Sequence, residues 1–145
     1  MARVSTYLNF PGNTEEAFNF YKSVFGTEFI GQIYRMGEVP PQEGATPMSE
    51  ADKNLVMHIS MPILGGHIIS GTDAVESLGH KYIPGNYMYL TLEPDTKEET
   101  ERLFKALSEG GKVNVPLQNM FWGSLYAEWT DKYGIRWMIN YTEPK

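Results

Sequence analysis

No cysteine occurs in this chain. That removes disulfides, thiolate nucleophiles, iron–sulfur ligation and Cys-ligated zinc. Histidine is scarce: His58, His67 and His80 are the full set, and none has the helical spacing of a zinc motif. Positive charge is also short. Twelve Lys and Arg against eighteen Asp and Glu leave a formal charge of −6. That balance, with no Lys/Arg cluster, argues against a nucleic-acid partner. No apolar run approaches the roughly 20 residues of a membrane span. The start, Met1-Ala2-Arg3-Val4-Ser5, reaches a polar turn by Asn13 without a signal-like stretch. The expectation is a non-membrane protein, placed in the cytoplasm because a cysteine-free chain suits a reducing compartment. No Gly-rich phosphate loop is present, and a nucleophilic triad would have to be assembled from scattered Ser, His and Asp.

What the chain does have is aromatic surface and a repeat. Its 145 residues suit one ordinary domain, spanning 1–145, with 41% apolar and 13% aromatic residues. Nine Tyr, seven Phe and three Trp provide large rigid faces for a core, a pocket or a subunit contact. The stretch Tyr7-Leu8-Asn9-Phe10-Pro11-Gly12-Asn13-Thr14-Glu15-Glu16 returns half a chain later as Tyr89-Leu90-Thr91-Leu92-Glu93-Pro94-Asp95-Thr96-Lys97-Glu98. Each copy reads as strand, tight connection, capped helix and Gly. A motif recurring at half the length of a small protein predicts two similar units, here about 4–71 and 86–141.

In the first unit a strand over Val4–Phe10 meets Pro11-Gly12-Asn13, and Asn13 with Glu16 forms a candidate capping box. Ala17, Phe18, Tyr21, Val24 and Phe25 make an apolar helical stripe ending at Gly26. A second strand is expected over Phe29–Met36, followed by a long loop, 37–54, of a length that usually covers or completes a site. Leu55–Met61 and His67–Ser70 read as a hairpin, followed by a polar loop from Asp73 to Gly85. The second unit starts near Tyr87. Its helix has a capping candidate in Thr96 and Glu99, an apolar stripe in Leu103, Phe104 and Leu107, and a stop at Gly110-Gly111. Short strands are expected over Lys112–Val115, Ser124–Trp129 and Arg136–Tyr141. Both units therefore read βαβββ, an α+β fold. The offset pairs Tyr21 with Leu103, Val24 with Ala106 and Phe25 with Leu107, which preserves the buried stripe.

Strand parity separates two faces. Leu8 and Phe10, Met57, Ile59 and Met61, Met88, Leu90 and Leu92, and Trp137, Ile139 and Tyr141 are expected beneath the helices. The opposite set is Ser5, Tyr7 and Asn9; Val56, His58 and Ser60; Tyr87, Tyr89 and Thr91; Arg136, Met138 and Asn140. That set is too polar for a second core and too aromatic for open solvent, so a half-enclosed groove is expected. His58 is the main catalytic candidate, since an imidazole suits proton transfer near neutral pH. A satisfied structural histidine is the competing reading. Phe121 and Trp122, in the turn Gln118–Gly123, are candidates for a pocket wall or for plain packing. Tyr126 and Glu128 share the face of Ser124; Tyr126 is a ligand-binding candidate and Glu128 a rim residue.

Several stretches together resemble the PhnB-like branch of the glyoxalase/bleomycin resistance/dioxygenase superfamily, the vicinal oxygen chelate proteins. They are Tyr7-Leu8-Asn9-Phe10 with Glu16-Ala17, Phe20-Tyr21 and Phe25-Gly26; Val56-Met57-His58; Gly110-Gly111-Lys112-Val113; Phe121-Trp122-Gly123; and Asp131-Lys132-Tyr133-Gly134-Ile135-Arg136-Trp137. The resemblance spans nearly the whole chain. It implies two βαβββ modules whose curved mixed sheets form a cavity, commonly completed as a homodimer. Metal-dependent members carry four ligands, mostly His and Glu, on the cavity strands. Matching that pattern places Ser5, His58, Tyr87 and Met138 at those positions, and only His58 is a persuasive ligand. No cofactor is therefore expected, with a divalent metal disfavoured but not excluded. The name of ubiquinone methyl transfer carried by some PhnB-like proteins finds no Rossmann unit or Gly-rich turn here to support it. The functional expectation is a small organic ligand held by Tyr7, Tyr87, Tyr89, Phe121, Trp122, Tyr126, Arg136 and Met138, with His58 catalytic if a reaction occurs. The alternatives are a metal-dependent lyase, isomerase or dioxygenase, and a non-catalytic antibiotic-sequestering or structural protein.

Overall fold

A computed structural model describes residues 2–40, 43, 44 and 46–144. The chain divides into two compact units, one ending at Ile83 and one beginning at Pro84. Each is a βαβββ module. In the first, β1 (Thr6–Phe10) leads into α1 (Thr14–Phe25), then β2 (Tyr34–Arg35), a short helix α2 (Glu50–Lys53), β3 (Val56–Pro62) and β4 (Ile68–Asp73). The second runs β5 (Leu90–Leu92), α3 (Lys97–Ser108), β6 (Lys112–Asn119), β7 (Leu125–Thr130) and β8 (Arg136–Tyr141). The sheet orders are β1-β4-β3-β2 and β5-β8-β7-β6. In each, the leading strand runs parallel to the last, and the remaining pairs are antiparallel. The repeat seen in sequence is thus a repeat of topology. No helix among the described residues is long and apolar enough to cross a membrane.

The first module builds its core where α1 lies on the sheet. Ala17, Phe18 and Tyr21 are fully buried beside Phe10, Ile59, Met61 and Ile69, and Phe18 meets Phe10 edge-to-face at 6.1 Å. Gly71 permits this approach. A Cβ there would sit 2.7 Å from the Phe18 ring and 3.0 Å from the Thr14 methyl. Gly26 closes α1 in the left-handed conformation at φ 65°, and its N–H donates to the Lys22 carbonyl.

The N-terminus of α1 departs from expectation. Asn13 makes no side-chain cap. The cap comes from Asp73, at the far end of β4, whose Oδ1 accepts from the Thr14 N–H at 3.0 Å and the Thr14 hydroxyl at 2.6 Å. Its Oδ2 accepts from the Val56 N–H at 2.8 Å. One buried carboxylate thus ties helix, β3 and β4 together. In the second module the expected cap is present: the Thr96 hydroxyl accepts from the Glu99 N–H at 3.1 Å. The Glu99 carboxylate, however, turns forward to Arg102 instead of back to the cap.

Other boundaries also shift. The expected strand Phe29–Met36 shrinks to Tyr34–Arg35, because Gly31 at φ 69° breaks extension and only the Ile30 N–H reaches the Ser60 carbonyl. The loop 37–54 contains α2, capped by Ser49; its residues 41, 42 and 45 lie outside the described residues. Val56, expected on the open face, is buried. An extra residue in β3 opposite Tyr34 and Arg35 flips its parity, so Val56 and Ile59 both turn to the core. Met88 and Tyr87, expected on a strand, precede it: β5 starts at Leu90, and both side chains are exposed. Leu8, Leu90 and Tyr141, expected beneath the helices, are only half-buried. β6 runs on to Asn119 by absorbing two irregularities, one on each side of Val115.

The second core is Leu103 and Leu107 of α3 against Leu92, Ala127, Trp129, Trp137 and Ile139, with Phe104 edge-to-face on Trp129 at 5.3 Å. The Trp137 indole N–H donates to Asp131 Oδ2 at 2.8 Å, while Asp131 Oδ1 accepts the Tyr133 and Ile135 N–H groups. The turn before β8 is built around that carboxylate.

Candidate functional site: the helix-free sheet faces

Each module packs its helix on one sheet face; the opposite face carries no helix, although Ser70 and Thr72 are buried there in the first module. On the first module the free face carries a connected row of hydroxyls and one imidazole. Register places Tyr7 beside Ser70, and Ser70 beside Ser60. The Ser60 and Ser70 hydroxyls lie 2.6 Å apart, Ser60 Oγ lies 2.9 Å from His58 Nε2, and the Tyr7 hydroxyl lies 3.2 Å from His58 Nδ1. The rings of Tyr7 and His58 are 5.8 Å apart and tilted at 40°. Both imidazole nitrogens are therefore held. Burial raises the Tyr7 phenol above its ordinary value, so it remains an O–H through neutral pH. His58 is half-buried and Tyr7 is 53% exposed. His67 is engaged separately, 2.8 Å from the Thr6 hydroxyl.

Such a row has two polarities. If Tyr7 donates to Nδ1, the Nε2–H donates to Ser60 and onward to Ser70. In the reverse direction Ser70 donates to Ser60, Ser60 to Nε2, and the Nδ1–H to the Tyr7 oxygen, whose proton is then left to the Met57 carbonyl 3.5 Å away or to an incoming acceptor. The outer end of the row can thus present an acceptor or a donor.

On the second module the free face holds Tyr126 and Glu128 of β7, Arg136, Met138 and Asn140 of β8, and Thr91 of β5. Register sets Glu128 opposite Met138 and Tyr126 opposite Asn140. The Tyr126 hydroxyl donates to Glu128 Oε2 at 2.8 Å. Burial, then the hydrogen bond to Glu128 and its charge, push the Tyr126 phenol up to about 12, with a smaller contribution from Tyr89. Trp122 stands edge-to-face on Tyr126 at 5.6 Å and on Phe121 at 5.1 Å, so the turn extends the face as an aromatic ladder. Arg136 donates from Nε to the Gly85 carbonyl and from Nη1 to the Thr130 hydroxyl. The Thr91 hydroxyl points at the Met138 sulfur, 3.8 Å away.

Of the residues singled out by sequence, Tyr7 and His58 meet on the first sheet, and Trp122 and Tyr126 meet on the second, with Tyr89 in electrostatic reach. Tyr87 does not join them: it lies in a bend after Pro84-Gly85 and is 96% exposed. Phe121 is 97% exposed and touches the face only through Trp122. Sequence reasoning put Ser60 on the right face but gave it no role, and it left Ser70 out. Strand register, which no single strand encodes, makes both part of the His58 row. A cleft of about 420 Å³ was also unforeseen. Lys97, Asn119, Trp122, Leu125, Tyr141 and Glu143 are among its lining residues.

The metal pattern of the superfamily can be tested on the donors themselves. His58 already has both nitrogens engaged, Tyr87 lies off the strand, and Met138 offers a soft thioether whose sulfur faces Thr91. Among the described residues no group of three His, Cys, Asp or Glu could hold a metal ion. The donor set does not fit a hard divalent ion.

The fold is the one seen in the glyoxalase/bleomycin resistance protein/dioxygenase family. A solved enzyme of that family from Burkholderia phytofirmans PsJN aligns over 95% of this chain and 98% of its own, at 16% identity and TM-score 0.58. Residues 2–140 match the family model described as 3-demethylubiquinone-9 3-methyltransferase, and the chain belongs to that PhnB-like family. Protein YjdN of Escherichia coli (strain K12) is 30% identical over 142 residues, covering 94% of this chain and 93% of its own. PA1353 of Pseudomonas aeruginosa aligns with TM-score 0.82 and 29% identity over 99% of this chain and all of its own. The PhnB protein of Bacillus cereus aligns with TM-score 0.76 and 26% identity over 97% of this chain and all of its own.

Proposed function

We propose that this protein binds a small organic molecule on the helix-free faces of its sheets, with His58 as the proton-transferring group wherever a reaction follows. The observation that carries this reading is the row Tyr7–His58–Ser60–Ser70. A histidine with a hydroxyl partner on each ring nitrogen can pass a proton from one to the other. This one sits between a half-exposed phenol and a serine pair, in an arrangement that can reverse polarity and relay a proton. On the first module Tyr7 supplies the ring contact; on the second Tyr89, Trp122 and Tyr126 supply them, with Arg136 and Met138 on the same face as Tyr126. Tyr87 and Phe121, exposed as they are, serve better as apolar surface for a homodimer contact; sedentimentation equilibrium of the purified protein, showing monomer alone, would remove that part.

Methyl transfer, named in the family description, is not part of the proposal. Each sheet has a single parallel pair and lacks the doubly wound dinucleotide-binding arrangement with its Gly-rich turn. The test is a screen of small-molecule binding by the purified protein beside His58→Ala and Trp122→Ala. Hits are expected to weaken in one or both variants. Hits that bind all three proteins equally would show these faces to be bystanders. Metal addition (Ni, Zn, Mn or Fe) that produced stoichiometric binding and activity would favour the metal-dependent enzyme instead.

A further inference from the structure

We propose that the free face of the second module selects ligands carrying a protonated amine or other organic cation, seated at the Glu128 carboxylate against the rings of Tyr126 and Trp122. This rests on the reading of that face as ligand-binding and adds the charge of what it takes.

Glu128 points away from α3 because its neighbours Ala127 and Trp129 are both fully buried. It is half-buried, and its one hydrogen bond among the described residues comes from the Tyr126 hydroxyl to Oε2. It takes no part in the ion pairs Lys22–Glu28, Arg35–Glu15, Lys53–Glu50 and Arg102–Glu99. Its cross-strand neighbours are Met138 on β8 and Val115 on β6, neither able to neutralise it. Two cations share this face in the Thr130 row, Arg136, turned to the Gly85 carbonyl and the Thr130 hydroxyl, and the exposed Lys112 at the start of β6; neither forms an ion pair with Glu128 among the described residues. A partly desolvated carboxylate outside any direct ion pair carries an unrepaid desolvation cost, and an arriving cation relieves it.

The surroundings suit an organic cation better than a hydrated metal ion. Tyr126 holds Oε2, and Oε1 accepts no hydrogen bond among the described residues. The Trp122–Tyr126 pair is edge-to-face at 73°, so its rings present faces in different directions, and ring faces attract cations. The raised Tyr126 phenol fits the same picture: the Glu128 charge is felt at the ring, and the hydroxyl stays a donor.

The test uses three matched probes at fixed ionic strength and neutral pH: benzylammonium, benzyl alcohol and benzoate. Binding is followed through the Trp122 indole N–H and the Gly123 amide by NMR titration. Benzylammonium should bind about tenfold more tightly than benzyl alcohol, with benzoate weakest. Glu128→Gln keeps an acceptor for Tyr126 and should bring the two leading probes to within about twofold of each other. Trp122→Ala should weaken the charged and neutral probes together. Equal binding of all three, benzoate binding best, no saturable shift with benzylammonium, or a charge preference surviving in Glu128→Gln would each overturn the proposal. If screened ligands still depended on His58 or Trp122 while the charge preference was absent, the cation proposal alone would fall.

Discussion

Replacing Asp73 by Ala should unfasten the first module at its most connected point. Three donors converge on this buried carboxylate: the Thr14 N–H and hydroxyl on Oδ1, and the Val56 N–H on Oδ2. The two Thr14 bonds share one oxygen and act together as a helix cap, whose loss costs about 0.5–2 kcal/mol. The Val56 N–H, left buried without an acceptor, adds about 1–3 kcal/mol. Together these set the loss at roughly 1.5–5 kcal/mol, a large part of a typical domain's stability. Asp73→Asn retains one carbonyl oxygen but offers an amide NH₂ where an N–H needs an acceptor, so it should recover the cap and lose the β3 bond. Urea unfolding followed by circular dichroism gives the free energies, and hydrogen exchange of the Val56 amide reports the local bond. If Asp73→Ala unfolded within about 0.5 kcal/mol of wild type, the range of an uninvolved surface site, and the Val56 amide kept its protection, the carboxylate would not be the tie described here.

Three further outcomes follow from the same geometry. Gly111→Ala should destabilise by about 2 kcal/mol or more, because the added Cβ meets the Thr130 carbonyl oxygen and Asp131 backbone, which cannot move as a side-chain tip can; thermal unfolding measures it. Glu15 pairs bidentately with Arg35 at 2.7 and 2.9 Å, and that hydrogen bonding, only partly opposed by burial, holds its carboxyl below the ordinary range. With the folded value below the unfolded one, the pair stabilises the protein at neutral pH and loses that contribution as pH falls from the ordinary carboxylate value through the lowered one. The pair is partly exposed, so the effect stays below about 1 kcal/mol; it should be seen as a flatter acid limb of the stability–pH curve in Glu15→Gln. Ultraviolet titration should find Tyr126 ionising near 12, and Glu128→Gln should lower that midpoint while burial keeps it above the ordinary tyrosine value of 10.0.

The repeat was legible in the chain because it is written in local terms: an apolar stripe at helical spacing, a cap, a Gly stop and alternating strands. Tyr21 and Leu103 fall in register and both are fully buried. The two βαβββ modules and the pairing of the 55–70 hairpin were within reach of such patterns. The site was legible only as a list of candidates, because parity tells which side a residue faces and not whom it meets. It failed where backbone geometry intervened, as at Val56, turned inward by an extra residue in β3, and at Tyr87, stranded ahead of a strand that starts late.

The sequence by itself determined the two units, their helices and most of their buried stripes, since periodicity and turn chemistry act over a few residues and need no distant partner. Tertiary structure alone decided that Asp73, not Asn13, caps α1, that Ser60 and Ser70 extend His58 into a row, and that Glu128 faces Met138 with no ion-pair partner among the described residues. These are contacts between strands whose register depends on the whole sheet. A carboxylate carries the same chemistry in any strand; what it caps or attracts depends on which strands the fold lays beside it.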